Sequence, residues 1–166
     1  MKTKIVSGVA AASIALATTF IAPWEGLRTR AYKDIVGVPT VCYGETRGVK
    51  MGDSYTPQEC LNMLHQGVQE FYTKIDPCMP DDLPAKSQAA FTSLAYNIGT
   101  GIPGKWGKGF CSSRAIQSAF AVKDYVRACN NIRLFNRAGG KVVRGLENRR
   151  IAEQRLCLEG LKEPKK

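Results

Sequence analysis

An α+β architecture is written into this chain: a short β-hairpin or small sheet near the front, then a helical body. Three features argue for it. Val and Thr alternate around Gly37 and Pro39 between residues 28 and 45, in the period-two manner of a strand pair. Thr56-Pro57-Gln58-Glu59 is a capping box with proline at the first helical position, and helical periodicity follows it. Further on, helix-length stretches alternate with glycine- and proline-rich breaks, without internal repeats or low-complexity tracts. A length of 166 residues allows one ordinary domain plus a short extra segment, and 44% hydrophobic residues suffice for a real core.

The chain opens MKTKIVSGVAAASIALATTFIAPW. Lys2 and Lys4 give a positive start, and residues 5–24 carry no charge. That length is close to the roughly 20 residues a helix needs to cross a bilayer. The lysines would stay in the cytoplasm and leave the bulk of the chain outside. Ala, Ser, Thr and Gly dominate the segment, however, and only Ile5, Val6, Val9, Ile14, Leu16, Phe20 and Ile21 are strongly hydrophobic. Such a helix can enter a membrane and leave it at modest cost. Three readings compete: a signal peptide cleaved after Ala17, within an Ala15-Leu16-Ala17 pattern; a permanent anchor; and a temporary anchor exported uncleaved. A buried helix of a cytosolic protein suits the lysine-led start poorly.

After the hairpin, where Pro39 implies an edge or a turn, Gly48, Gly52 and Asp53 mark a loop. The helix opened by the capping box is expected to reach about Ile75, with Leu61, Leu64, Val68 and Phe71 on one face. His65 lies beside that stripe and reads as structural or solvent-facing, since no Ser or Cys partner is recognisable nearby. Residues 76–84 hold three prolines and form a connector. Pro84 starts a helix containing Ala89, Ala90, Leu94 and Ala95, which stops near Asn97-Ile98-Gly99. Residues 99–109 are glycine-rich but lack the Lys-Ser/Thr ending of a phosphate loop, and read as a mobile turn. Further helices are expected at 112–120, 124–135 and 145–158, the last two separated by Ala138-Gly139-Gly140-Lys141.

A net charge of +10 favours a polyanionic partner: nucleic acid, an anionic membrane face or an acidic wall polymer. Against nucleic acid stand the lack of a recognisable binding motif and the scarcity of aromatics among the basic residues. Arg133, Arg137, Lys141, Arg144, Arg149, Arg150 and Arg155 crowd the last third, as a wall-facing surface or as plain solvated helix faces. Six cysteines without a CxxC pair, and a single histidine, argue against zinc. The even count fits disulfides in an oxidising compartment, but the sequence cannot choose the pairing.

Glu25, Asp34 and Thr40 form a Glu-x8-Asp-x5-Thr pattern that is weak on spacing alone. Its setting, PWEGLRTRAYKDIVGVPTVCYGET, resembles the active-site opening of phage-type (T4-like) lysozymes. TPQECLNML, AFTSLAYNIGTG and AGGKVVRGLENRRIAEQRLCLEG continue the resemblance, in order, over about residues 24–160. It looks most like the signal-anchor-release endolysins of phages infecting Gram-negative bacteria. One departure is Gly44-Glu45-Thr46, where many relatives have Gly-His-Thr, so a salt bridge made by that histidine is not carried over.

The resemblance implies a lysozyme-like fold, a small antiparallel β-sheet lobe beside a larger helical lobe. It implies hydrolysis of the β-1,4 bond between N-acetylmuramic acid and N-acetylglucosamine in peptidoglycan, with inversion and without cofactor or metal. Glu25 would be the general acid, Asp34 would orient or activate water, and Thr40 would hold that water. Residues 1–23 would be the signal-anchor segment and 24–166 the catalytic domain. The chain would reach the host inner membrane through the secretion machinery, N-terminus cytoplasmic and catalytic domain periplasmic. A holin or pinholin would then trigger release of a soluble periplasmic monomer. With the anchor in lipid, Glu25 is held at the bilayer surface and the enzyme is inactive; no cysteine precedes Cys42 to offer an anchor-borne disulfide switch. Two alternatives are a cationic wall- or membrane-binding protein without catalysis and a lytic transglycosylase.

Overall fold

The computed structural model describes residues 8–164. Lys2 and Lys4, the expected positive start, lie outside the described residues. Helix α1 (Gly8–Glu25) leads into a hairpin of β1 (Arg28–Lys33) and β2 (Pro39–Cys42). Then come α2 (Pro57–Ile75), α3 (Ala85–Ile98), α4 (Arg114–Ala121) and α5 (Tyr125–Asn131). A two-residue-per-strand hairpin, β3 (Arg137–Ala138) and β4 (Lys141–Val142), precedes α6 (Arg144–Lys162). The expected α+β division therefore holds.

Helix α3 is the hub. Every residue from Ser87 to Ala95 is buried, as an all-round core helix requires. α1, α2 and α6 all pack on it. Phe91, Phe110 and Phe120 form an aromatic cluster beneath it, with ring centroids 5.1–6.2 Å apart.

The leader takes part in this core. Ala10, Ser13, Ile14, Ala17, Thr18 and Ile21 are buried, a three-and-four spacing that makes one face of α1. Most are small, which lets the helix lie close against α3 and α2. The two buried hydroxyls have partners. Ser13 Oγ lies 2.7 Å from Val9 O and 3.0 Å from Gln88 Oε1 on α3, which also accepts from the Tyr72 hydroxyl at 2.7 Å. Thr18 Oγ1 donates to Ile14 O and lies 3.2 Å from His65 Nδ1. The exposed His65 is thus a structural contact between α2 and α1. The expected boundary at residue 23 falls inside α1.

Hairpin register pairs Arg28 with Cys42, Tyr32 with Thr40 and Lys33 with Pro39, around an irregularity between Arg28 and Tyr32. Residues 53–55 line the outer edge of β1, through Ala31 N to Asp53 O and Tyr55 N to Thr29 O, both 2.9 Å. Beneath the strands Val41, Cys42 and Cys60 form a second, small core with Tyr43, Tyr55 and Met63 around it.

The capping box at Thr56 forms as expected: Thr56 Oγ1 accepts from Glu59 N, and the Glu59 carboxylate accepts from Thr56 N at 2.7 Å. Residues 99–109 are a loop tied by Phe110 N to Gly99 O and Cys111 N to Thr100 O, at 2.9 and 2.7 Å. Gly109 packs directly on the backbone of Gly101, with no room for a Cβ. The single helix expected at 124–135 ends at Asn131 and tightens into a 3₁₀ turn over Ile132–Leu134, after two asparagines of low helix propensity. Gly139 and Gly140 have φ of 55° and 78°, the positive values that a two-residue turn between β3 and β4 demands.

All six cysteines are paired: Cys42–Cys60, Cys78–Cys111 and Cys129–Cys157. The first ties the hairpin to α2, the second the proline connector to the segment just after the glycine-rich loop, and the third α5 to α6. Their separations of 18, 33 and 28 residues each correspond to about 3–4 kcal/mol of loop-closure entropy removed from the unfolded chain.

Candidate active site

Glu25 is the last residue of α1, so its place is set by how α1 docks. Arg149 on α6 reaches it, with Nη1 donating to Glu25 Oε1 at 2.8 Å; the glutamate side chain is 26% exposed and the arginine 6%. This contact joins residues 124 positions apart.

Asp34 and Thr40 sit on the hairpin that follows. Asp34 Oδ1 accepts from Val36 N at 2.9 Å and Val38 N at 2.8 Å, while Asp34 N donates to Val38 O. These bonds shape the turn and fix the carboxylate, and Oδ2 takes part in none of them. Thr40, paired across the strands with Tyr32, is 4% exposed, and its hydroxyl donates to Val38 O at 2.9 Å. That donation leaves the oxygen lone pairs as acceptors. The hairpin therefore holds two of the three expected residues, and the helix leading into it ends on the third.

Just beyond Thr40 the loop is braced by an ion triad. Arg47 donates through Nε and Nη2 to Glu45, at 3.1 and 3.0 Å, and through Nη1 to Glu70 on α2 at 2.9 Å. Glu45 is thus joined to α2 through an arginine held between two carboxylates. The Arg47 side-chain hydrogen bond holds the Glu45 carboxyl below its ordinary value. A hollow of about 280 Å³ lies here, lined by Tyr43, Glu45, Arg47, Glu70 and Tyr96 among others, and it includes none of Glu25, Asp34 or Thr40. Burial pushes the Tyr96 hydroxyl up, and the charges of Glu25 and Glu45 add to this, which places Tyr96 within the field of both.

Two of the seven basic residues assigned to the surface belong elsewhere. Arg149 is 5% exposed and Arg150 fully buried, around an equally buried Glu153. A buried carboxylate needs cationic partners, and these two arginines supply them from the same helix. Arg137, Lys141, Arg144 and Arg155 remain exposed, and Arg133 is half-buried. Arg149 is the site residue that sequence reasoning missed. The i,i+4 spacing of Arg149 and Glu153 was its visible trace. Among the described residues, no three His, Cys, Asp or Glu side chains gather as a metal centre would need.

Comparison with known proteins shows the family. Residues 22–153 match the family model described as phage lysozyme. The SAR-endolysin of Pseudomonas phage phiKMV is 36% identical over 89% of each chain. The SAR-endolysin of bacteriophage PS34 is 32% identical, covering 96% of this chain and 95% of its own. Among solved structures, the active form of the P1 phage endolysin Lyz superposes with a TM-score of 0.71 at 25% identity, over 96% of this chain and 98% of that one. With a helix ending in glutamate, a hairpin bearing aspartate and threonine, and this likeness along nearly the whole length, the chain belongs to the phage lysozyme family.

Proposed function

We propose that Glu25, Asp34 and Thr40 carry out the muramidase reaction of this endolysin by direct, inverting hydrolysis. Glu25 protonates the glycosidic oxygen. Arg149 grips Oε1 and leaves Oε2 to carry the proton. Asp34 keeps Oδ2 for a water on the opposite face of the sugar, and the Thr40 oxygen accepts a hydrogen bond from the same water. Two carboxylates placed this way supply an acid and a base without metal or organic cofactor. The substrate is the glycan of peptidoglycan, between N-acetylmuramic acid and N-acetylglucosamine. The exposed Arg137, Lys141, Arg144 and Arg155 suit an anionic wall.

The observation that carries this reading is the position of Glu25 at the end of α1, gripped by Arg149 and followed within nine residues by Asp34. Glu25→Gln and Asp34→Asn abolish wall digestion while the chain still folds cooperatively; Thr40→Ala weakens it strongly. Reducing-end products mark hydrolysis, whereas anhydro sugars would mark a lytic transglycosylase. Near-full activity in either acidic variant overturns that residue's role.

The same helix is the membrane segment. Its 18 residues span about 27 Å, close to the thickness of a bilayer's hydrocarbon core. Residues 1–23 act first as a tether, N-terminus inside and body in the periplasm, and afterwards complete the domain of residues 24–166. While α1 lies in lipid, Glu25 is held away from Arg149 and the hairpin, and the enzyme is silent. Three disulfides suit a body folded in an oxidising compartment. Release, triggered by holin- or pinholin-type collapse of the membrane potential, gives a soluble monomer with its original N-terminus. N-terminal sequencing of the membrane-bound and soluble forms tests this, and a chain starting at Thr18 would show cleavage instead.

A further inference from the structure

Behind the Glu25–Arg149 contact lies a buried charge cluster that the proposed chemistry does not use. The Arg149 guanidinium donates through Nε to Glu153 Oε1 at 3.2 Å, and its Nη2 lies 3.5 Å from both Ser93 O and Ser93 Oγ. Glu153 Oε1 also accepts from Ser93 Oγ at 2.6 Å and from Arg150 Nη2 at 3.1 Å. Arg150 and Glu153 are both fully buried.

This cluster is expensive. Arg150 Nε stands 2.8 Å from Glu153 Oε2 but off the hydrogen-bonding direction, and Arg150 Nη1 lacks a hydrogen-bond partner among the described residues. Well-packed apolar side chains generally serve stability as well as a buried ion pair or better. A core built for stability alone would have no use for it.

The geometry supplies another use. A guanidinium is a flat, rigid fork, so fixing its Nε edge fixes the direction of Nη1. Glu153 takes the Nε edge and Glu25 takes Nη1. The charges also divide evenly: two arginines face two carboxylates, so Arg150 is balanced by Glu153 and Arg149 is left for Glu25. We propose that Glu153, seated by Ser93, is a positioning residue for the general acid, acting by aiming Arg149 at Glu25. This rests on the assignment of Glu25 as that acid.

The test uses the released, soluble full-length protein, with initial rates of reducing-end formation on solubilised peptidoglycan glycan strands. Glu153→Gln lowers kcat at least tenfold with KM within twofold of the parent, since a misplacement of about 1 Å costs on the order of a hundredfold. Glu153→Asp, which keeps the charge, recovers part of that loss. Because Glu153→Gln leaves two buried arginines short of a partner, the paired change Arg150→Met with Glu153→Leu is measured beside it. It removes one charge of each sign and keeps the core filled, so the thermal midpoint stays near the parent's while kcat falls by the same tenfold or more. A folded paired variant with kcat within twofold of the parent overturns the proposal, as does a rise in KM with kcat unchanged. Glu25→Gln serves as the control. If it is inactive while the Glu153 variants match the parent, only the positioning role falls; if it stays active, the assignment of Glu25 falls as well.

Discussion

Replacing Ala17 by leucine separates the two environments proposed for α1. Ala17 is wholly buried in the folded body, at the middle of the helix. Three extra heavy atoms there overpack the contact with α3 and α2, at a cost of about 1–3 kcal/mol. In the bilayer the same change helps, because leucine at a helix centre favours insertion by about 0.3–0.6 kcal/mol. Together the preference for lipid grows by about 1.3–3.6 kcal/mol, roughly a ten- to four-hundredfold shift in the partition. Ala15→Leu is the matched control: Ala15 is exposed on the docked helix, so only the lipid gain applies, about two- to threefold. The assay collapses the membrane potential of Gram-negative cells expressing each variant, then compares membrane and soluble fractions by immunoblot and by wall-lysing activity. Ala17→Leu stays in the membrane fraction and silent, and Ala15→Leu is released almost as the parent is. Equal retention of the two leucine variants would refute a role for core fit, and parental release of Ala17→Leu would refute the docking argument outright.

Three further outcomes follow from the fold. Replacing Cys78 and Cys111 together by serine costs about 3–4 kcal/mol in denaturant unfolding, because their loop of 33 residues is then open in the unfolded chain; an unchanged midpoint contradicts this. Arg47 holds the Glu45 carboxyl below its ordinary value of 4.5, so its contribution is whole above about pH 4.5 and is lost as pH falls through the depressed folded value. Glu45→Gln is therefore less stable than the parent at pH 7, and the gap narrows as pH falls below 4.5 in thermal unfolding; a gap that does not change with pH would contradict the ion triad. Gly160→Ala destabilises by about 1–3 kcal/mol in urea despite alanine's better helix propensity. The reason is that its Cβ would stand 2.5 Å from Ser87 Oγ and 2.8 Å from Ser87 N where α6 crosses α3.

The features legible in the sequence are those decided within a few residues. The capping box at Thr56 and Glu59 and the stop at Gly99 each follow from local hydrogen bonding, and each lies where the pattern places it. The hairpin was legible because strand alternation meets Gly37 and Pro39 in one short stretch. Features decided across the fold were not. Arg149 and Arg150 look like any basic pair on a solvated helix until α3 brings Ser93 to Glu153. Cysteine pairing likewise needs the positions of α2, α5 and the 99–109 loop, which no spacing encodes. The 3₁₀ turn after Asn131 was missed because the apolar period runs on through Ile132 and Leu134 while the backbone tightens.

If α1 is first a membrane tether, as proposed, its composition answers two demands at once. Lipid forbids unpaired polar groups, and Ser13, Thr18 and Thr19 meet this by lying on carbonyls of their own helix, at Val9, Ile14, and Ala15 and Leu16. Those bonds travel with the helix into either environment. The protein core asks for a narrow face, and Ala10, Ser13, Ala17 and Thr18 provide it. A helix of large aliphatic side chains would satisfy lipid and fail to seat on α3; a more polar one would seat and never insert. Gln88 and His65 then add contacts that exist only in the docked state, to Ser13 and Thr18 respectively. On the proposed reading, the weak hydrophobicity of the leader is the consequence of a helix that has to fit the same eighteen residues to two solvents, with Glu25, the proposed acid, carried on its last turn.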